Sequence, residues 1–260
     1  VVSSKWKRSF LDTYYTLIWR QLHTKKYKSR IQSRYEFYRT ITYKENLLTN
    51  SSNNNNSKYF ALIVEPGINP YFEISVRTLF YHLLKRSRFT WHIVIMHSHS
   101  NEDFIRSSLF DIKESISFKL LSHDNKMYHV KNYNELMKRA SFWKPYKDPG
   151  TKVLVFQSDS IILLNSTSID KFLPYHYVGA PWHNVWNERL QTDRIKYKGR
   201  FLDGVGNGGF SLRSGNVMFE IASKFQSTHD EQEDMYFVRH IEDLHLNFGV
   251  ASRVVAWKFA

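Results

Sequence analysis

Residues 152–172, "KVLVFQSDSIILLNSTSIDKF", decide how this chain folds. The segment opens with an uninterrupted apolar run, which is typical of a strand that is covered on both faces of a sheet. A carboxylate, Asp159, then stands between Ser158 and Ser160. Because ligand-contacting groups of α/β folds lie where strands leave the sheet, we predict that Asp159 meets a ligand at the end of a buried strand. The alternative is a carboxylate that only accepts hydrogen bonds from a neighbouring loop.

Strand and helix patterns alternate on the amino-terminal side of this segment. Apolar runs predict strands at 59–66, 90–98 and 115–122, and intervening segments predict helices at 69–86, 101–110 and 132–143. The first helix is expected to have Asn69 as its N-cap and Pro70 at its first position. This alternation predicts an α/β fold with a mostly parallel sheet and helices on both faces.

The pattern is less regular beyond Trp182. Residues 183–210 lack a convincing period, which is typical of a lid or a binding loop. The Trp182 side chain, with Trp186, could stack on a sugar or a base, and packing in the core or on the surface is the alternative. Two helices, at 214–225 and 233–244, and a last strand at 252–259 complete the prediction.

The composition excludes several kinds of site. The chain has no cysteine, which rules out a disulfide framework, a thiolate metal site and a cysteine nucleophile. It has no G-x-S-x-G segment, so serine hydrolase chemistry is not expected. With 260 residues, of which 42% are hydrophobic, it can bury a sizeable core.

Positive charge is concentrated at the amino terminus. Residues 1–49 contain eleven Lys and Arg and three acidic residues, so +8 of the formal net charge of +13 lies there. These residues are predicted to form a basic helical extension that attaches to an anionic surface such as a membrane. Residues 50–57 read as a polar linker and residues 58–260 as the main domain. The protein is then expected to be membrane-associated or cytoplasmic.

Two further segments carry residue types that could bind a ligand or transfer a proton. The first, "GVGNGGFSLRSGN" at 204–216, places Asn207, Gly208 and Gly209 where a backbone could approach a ligand closely; a glycine-rich hairpin without a ligand is the alternative. The second, "DEQEDMYF" at 230–237, contains Glu233 and Asp234, either of which could act as a general base. Acidic residues also occur at helix starts for purely structural reasons, because the helix dipole favours them there.

Four segments in chain order resemble an uncharacterised domain family related to the GT-A glycosyltransferases. They are F-Q-S-D at 156–159, Y-H-Y-V-G-A-P-W at 175–182, G-N-G-G-F-S-L-R at 206–213 and E-D at 233–234. The resemblance covers about residues 58–260. It implies a GT-A-like, Rossmann-type domain that transfers a sugar from a nucleoside diphosphate sugar, here a uridine diphosphate sugar, to an acceptor hydroxyl with inversion.

The resemblance also implies roles for particular residues on the donor side. The strand end, Gln157, Ser158 and Asp159, would contact the donor, with Asp159 reaching its diphosphate through Mn²⁺ or Mg²⁺. Glu65, at the end of the first predicted strand, would contact the nucleotide. Gln157 stands where a D-x-D motif has its first Asp, and this departure weakens the implied metal site.

On the acceptor side, the implied groups are the glycine segment and the E-D pair. Asn207, Gly208 and Gly209 would line the site, together with Trp182. Asp234 or Glu233 would remove the proton from the attacking hydroxyl.

Two other functions fit parts of the sequence. The basic, aromatic residues 1–49 are typical of a protein that binds nucleic acid or anionic membranes. Because that charge lies outside the predicted α/β domain, a specific nucleic-acid partner is not expected. The missing first Asp would also fit a catalytically inactive GT-A relative.

Overall fold

The computed structural model describes residues 58–121, 130–163, 166–182, 205–227 and 231–259. A single six-stranded sheet with the order β3-β2-β1-β4-β6-β5 organises them. The strands are β1 (Tyr59–Glu65), β2 (His92–His97), β3 (Ile116–Leu120), β4 (Lys152–Phe156), β5 (Tyr177–Pro181) and β6 (Val205–Ser214). Strands β1 to β4 run parallel, and β6 runs antiparallel to both β4 and β5. The predicted α/β class with a mostly parallel sheet is therefore confirmed.

Seven α-helices are defined within the described ranges. They are α1 (Phe72–Arg86), α2 (Glu102–Ser108), α3 (Val130–Met137), α4 (Ala140–Trp143), α5 (Gly215–Lys224), α6 (Glu233–Asp243) and α7 (Arg253–Phe259). Short 3₁₀ turns cover residues 99–101, 110–115, 144–146 and 169–172.

The central strands are mostly apolar, and both of their faces are buried. Side chains alternate across a strand, so Ala61 and Ile63 of β1 join one core and Leu62 joins the other. The first core includes residues of α1, α2 and α7, and the second includes residues of α3, α4, α5 and α6. Helices thus cover both faces, as the unbroken apolar runs indicate.

Strand β6 shows how the glycine-rich segment folds. It pairs with β4 in register from Lys152 opposite Ser214 to Phe156 opposite Phe210. The sequence pattern left this segment as the end of a long loop, whereas the structure makes it the longest strand of the sheet. Its glycines weaken the local strand signal, and pairing with two neighbouring strands compensates for that weakness.

The two ends of the domain correct the sequence prediction. Asn69 does not cap α1: its carboxamide oxygen accepts a hydrogen bond from Tyr71 N at 2.9 Å, and the helix begins at Phe72. The predicted last strand is helix α7, in which Ala256 and Phe259 are buried at helical spacing. The Val254-Val255 pair favours a strand locally. Packing of Ala256 and Phe259 on the core outweighs this preference, because their spacing places both on one face of a helix.

Several predictions fall on residues outside the described ranges. The basic helical extension at 1–49, the linker at 50–57 and the loop at 183–204 all lie there and remain predictions. Within the described ranges, no helix combines the length and the apolar character that a bilayer crossing requires.

Gly206 provides a test of the packing around β6. Its φ is +137°, and an added Cβ would lie 2.5 Å from Val238 Cγ2 and 3.1 Å from Trp182 Cη2. We expect Gly206→Ala to lower the free energy of unfolding by about 2–5 kcal/mol, combining an unfavourable φ with overpacking. Gly150→Ala is the matched control, since Gly150 also has a positive φ, of +83°, but no atom within 4 Å of the added Cβ. Urea denaturation should show a smaller loss of free energy of unfolding for Gly150→Ala than for Gly206→Ala. Equal losses would contradict the packing argument.

Candidate functional site

The candidate site lies at the topological switch point of the sheet. From β1 the chain proceeds outward through β2 and β3, and then returns to form β4 on the other side of β1. Neighbouring connections at such a point leave in opposite directions, so the carboxyl ends of β1 and β4 border a crevice. Glu65 ends β1, and Gln157 follows directly after β4.

A hydrogen bond joins the two strand ends across this crevice. Ser158 Oγ donates to Glu65 Oε2, and Gly67 N donates to Glu65 Oε1 at 3.3 Å. Burial of the Glu65 carboxyl raises its pKa to about 7; the Gly67 hydrogen bond opposes this rise and the Asp159 charge adds to it. With a pKa of about 7, raised chiefly by burial, Glu65 takes up a proton near neutral pH.

The loops on each side of the crevice are fixed by buried polar contacts. Asn101 Nδ2 donates to the carbonyl oxygens of Glu65, at 2.9 Å, and Gly67, at 2.6 Å. Ser75 Oγ donates to the Ser158 carbonyl at 2.7 Å, which ties α1 to the end of β4. These hydrogen bonds hold the backbone around the strand ends in place.

Asp159 occupies the turn that follows β4. Ser160 N and Ser160 Oγ both donate to the Gln157 carbonyl, at 3.0 Å and 2.6 Å, which closes a tight turn. The turn leaves the Asp159 side chain exposed while Ser158 is buried. The Asp therefore stands at the end of a buried strand, and its carboxylate faces solvent.

The glycines of β6 bring a third element to the crevice. An added Cβ at Gly209 would lie 2.8 Å from Gln157 Oε1, so this glycine lies directly against the end of β4. At Gly208 the added Cβ would lie 2.2 Å from Glu233 Oε1 and 3.1 Å from Asp234 Cβ. Glycine at both positions permits the strand to contact β4 and the start of α6 at once.

Asp234 lies in the first turn of α6, against Gly208. Its Oδ2 accepts a hydrogen bond from Gly208 N at 3.2 Å, and its Oδ1 accepts one from Met235 N at 2.7 Å. Burial raises the pKa of Asp234 to about 7 and the Glu233 charge adds to the rise, against the two backbone hydrogen bonds and Arg213. A carboxylate with this pKa is suited to general base chemistry near neutral pH.

Glu233, the other acid of the pair, has a different environment. Its side chain is 4% exposed, and both of its oxygens accept hydrogen bonds from Arg213, at 2.5 Å and 2.9 Å. Burial lowers the pKa of Arg213, but the Glu233 charge raises it further, so the net direction is upward. Glu233 is therefore committed to an internal ion pair, and this environment does not suit a base that must exchange protons with a substrate.

The remaining predicted residues divide between solvent and core. Asn207 is exposed, and its Oδ1 accepts a hydrogen bond from Gly209 N at 3.0 Å. Trp182 is 8% exposed, belongs to the second core and lies against Gly206, so its ring packs rather than offering an open stacking surface.

Arg213 was missed by the sequence prediction. It is fully buried within β6, as a charged residue in the strand segment "FSLRS". The same signal drew attention to Asp159, namely a charge within an apolar strand. Applied to "FSLRS", together with an acidic pair about twenty residues further on, it would have indicated a buried ion pair.

A comparison with protein families matches residues 115–260, more than half of the chain, to the family described as "Protein of unknown function (DUF5672)". The chain belongs to this family. No curated protein matches its sequence. The family match includes β3 to β6 and the glycine and E-D segments, and Glu65 lies outside it.

Solved structures of transferases show a distant similarity. Mouse xyloside xylosyltransferase 1 has 12% identity and a TM-score of 0.43, and the match covers 75% of this chain and 84% of that one. A Pyrobaculum calidifontis mannosyltransferase in complex with GDP-mannose and Mn²⁺ has 9% identity and a TM-score of 0.44, covering 86% and 64%. An Anaerococcus prevotii 4-diphosphocytidyl-2C-methyl-D-erythritol synthase has 12% identity and a TM-score of 0.40, covering 75% and 86%. At these scores the similarity carries no inference about substrate.

The crevice fits a divalent cation only in part. Asp159 offers one exposed carboxylate, whereas both oxygens of Glu65 already accept hydrogen bonds. In the part of the chain that the structure describes, no group of three or more His, Cys, Asp or Glu residues could hold a metal ion. A cation here would take one protein ligand, and the diphosphate and water would supply the others.

The raised pKa of Glu65 predicts a pH-dependent stability. A carboxyl whose pKa rises from 4.5 to about 7 on folding stabilises the folded state below about pH 4.5, and this contribution is lost as the pH rises through about 7. Glu65→Gln should remove that loss, so its free energy of unfolding relative to wild type should rise by about 1–3 kcal/mol between about pH 5 and about pH 8.

Urea denaturation at a series of pH values measures this difference. Glu102→Gln is the control, because Glu102 is half-buried and its hydrogen bond with Arg106, at 2.7 Å, lowers its pKa rather than raising it. It should show little change over the same range. A Glu65→Gln curve parallel to wild type would contradict the assigned pKa.

Proposed function

We propose that this protein is a glycosyltransferase that transfers a sugar from a nucleoside diphosphate sugar to an acceptor hydroxyl. The observation that carries the proposal is a series of contacts from Glu65 and Ser158 through Gln157, Gly209 and Gly208 to Asp234. These contacts link the end of β4, where the Asp159 carboxylate is exposed at the switch-point crevice, with Asp234, whose pKa is about 7. The order of the four motifs that resemble GT-A relatives supports the same function.

The donor would occupy the β1 and β4 side of the crevice. Glu65 would accept a hydrogen bond from the nucleotide when it is ionised, or donate one when it is protonated, and Ser158 holds it in position. Gln157 and the exposed Asp159 would lie toward the diphosphate. A uridine diphosphate sugar is the donor that the resemblance favours.

A Mn²⁺ or Mg²⁺ ion would be held by Asp159 together with diphosphate oxygens and would stabilise the charge of the departing diphosphate. Asp159 alone is a weak site, because divalent cations of this kind take several oxygen ligands. Cation and donor are therefore expected to bind together.

Asp234 would act as the general base. Its carboxylate would take the proton of the acceptor hydroxyl while that oxygen forms a bond to the anomeric carbon of the donor. The bond between that carbon and the diphosphate oxygen breaks, and the diphosphate leaves with the bonding electron pair. Attack from the side opposite the leaving group inverts the anomeric configuration, as proposed from the resemblance.

The second candidate is a GT-A relative that binds a nucleotide sugar without transferring it. The specific observation in its favour is Gln157, whose amide stands where a D-x-D motif would have its first carboxylate. Binding without any hydrolysis or transfer over a panel of nucleotide sugars and acceptors would favour this candidate.

Substitution of Asp234 tests the catalytic assignment. Asp234→Asn removes the basic carboxylate with little change of shape, so transfer or donor hydrolysis should slow by about 10²- to 10⁴-fold while donor affinity stays within about 2-fold. Asp243→Asn is the control, because Asp243 lies at the other end of α6 and accepts a hydrogen bond from His240. Measurement of kcat and KM for the best donor checks this; a fully active Asp234→Asn would refute the base.

Asp159 is tested by donor binding with and without metal. Calorimetry with a uridine diphosphate sugar should show affinity that increases when Mn²⁺ is added, since cation and diphosphate complete each other's coordination. In Asp159→Asn this increase should disappear. Asp148→Asn, an exposed aspartate before the start of β4, should behave like wild type. Metal-independent binding that is unchanged in Asp159→Asn would make this carboxylate structural.

A further inference from the structure

Arg213 joins the two groups that hold Asp234. Its Nη1 and Nη2 donate to both carboxylate oxygens of Glu233, and Nη2 also lies 3.3 Å from the Gly208 carbonyl oxygen. Its Nε donates to Ser211 Oγ at 2.9 Å, which fixes the guanidinium in its plane. One buried side chain therefore contacts both the start of α6 and the glycine backbone opposite it.

We propose that the buried Arg213–Glu233 pair fixes the orientation of Asp234 toward the crevice, so that Glu233 is a positioning residue and Asp234 alone is the base. This inference rests on the proposed function, because it assigns Asp234 the catalytic proton transfer. Of the two acids that the sequence indicated as possible bases, Asp234 is then the base and Glu233 positions it.

The geometry of Asp234 explains why the pair is needed. Asp234 Oδ2 accepts from Gly208 N, and the Gly208 carbonyl is held by Arg213. The residue before Asp234 in the chain is Glu233, which is held by the same guanidinium. A shift of Arg213 would thus displace the donor to Asp234 and the helix turn that carries it.

A guanidinium is the side chain that this position requires. Its planar fork matches the two oxygens of a carboxylate and leaves a further N–H for a carbonyl, which a lysine ammonium cannot reproduce in the same plane. The rings of Trp143, Tyr177 and Phe237 enclose it, with its central carbon 5.0 to 5.9 Å from their centroids. Buried ion pairs contribute little net stability compared with apolar residues of the same volume, so a positional role accounts for the pair better than stability does.

The pair also acts on the charge of Asp234. The charged and titratable groups that face this carboxyl are Glu233 and Arg213, with Tyr133 and Tyr177 close enough to interact with it electrostatically. The Glu233 charge raises the pKa of Asp234, and the Arg213 charge lowers it. If Glu233 loses its charge, its repulsion of the Asp234 carboxylate disappears, and the attraction between Arg213 and Asp234 is no longer offset. Both changes lower the pKa of Asp234.

The test is a pH titration of the Asp234 carboxyl by ¹³C NMR, which does not depend on activity. In the wild type the midpoint should lie near 7. In Glu233→Gln, which keeps the shape of the side chain, the midpoint should fall by about one pH unit or more. A midpoint that stays within about 0.3 pH unit of wild type would overturn the proposal.

A matched variant separates this effect from a general loss of stability. Glu231 is also a buried acid near the start of α6, and it pairs with Arg239 at 3.0 Å. Glu231→Gln breaks a similar ion pair without touching Gly208 or Asp234, so the Asp234 midpoint should remain at the wild-type value. An equal fall in both variants would count against a specific role for Arg213 and Glu233.

Two further results complete the design. If Glu233→Gln does not fold, the wild-type titration still decides, because a midpoint near the ordinary aspartate value of 3.8 would overturn the proposal. Where turnover is measurable, the acid limb of the rate profile should shift in Glu233→Gln by the same amount as the NMR midpoint. A wild-type protein that neither binds nor transfers any nucleotide sugar would instead refute the proposed function, and the NMR titration would still report on the pair.

Discussion

Strand β4 is the constraint on which the rest of the structure depends. It pairs with β1 in parallel and with β6 in antiparallel, so all of its backbone groups are committed to neighbours while both of its faces lie in cores. Buried peptide groups require such partners. The polar residues that follow Phe156 mark the point where the strand can leave the sheet, and the parallel pairing places that point beside the end of β1. The crevice therefore follows from how β4 is buried.

The direction of β6 decides which groups meet at this crevice. Because β6 is antiparallel to β4, its glycine-rich beginning lies beside the end of β4, and its later residues lie beside the start of β4. Gly208 and Gly209 then contact α6 on one side and Gln157 on the other. A side chain at either glycine would separate these elements, so the site depends on the missing Cβ atoms as much as on its carboxylates.

This packing places two acids that are adjacent in sequence in different environments. Glu233 points inward to a guanidinium, and Asp234 accepts hydrogen bonds from two backbone N–H groups. Burial disfavours a charged carboxyl, and the two backbone hydrogen bonds offset this only in part, so the pKa of Asp234 rises to about 7. Adjacent helical residues project about 100° apart, but nothing in "EDMYF" shows which of the two will meet a guanidinium.

The sequence by itself determined the parallel core of the fold, because unbroken apolar runs such as "ALIV" and "VLVF" have few alternatives to a strand buried on both faces. It also determined that polar residues would follow these strands, including Asp159. The tertiary structure alone decided that "VGNGGFSLRS" is a strand and "RVVAWKF" a helix, since strand pairing and burial at helical spacing outweigh local propensity there. It alone decided which acid of the E-D pair is paired, because Arg213 reaches Glu233 across twenty residues of chain, and such a contact leaves no periodic signal in the sequence.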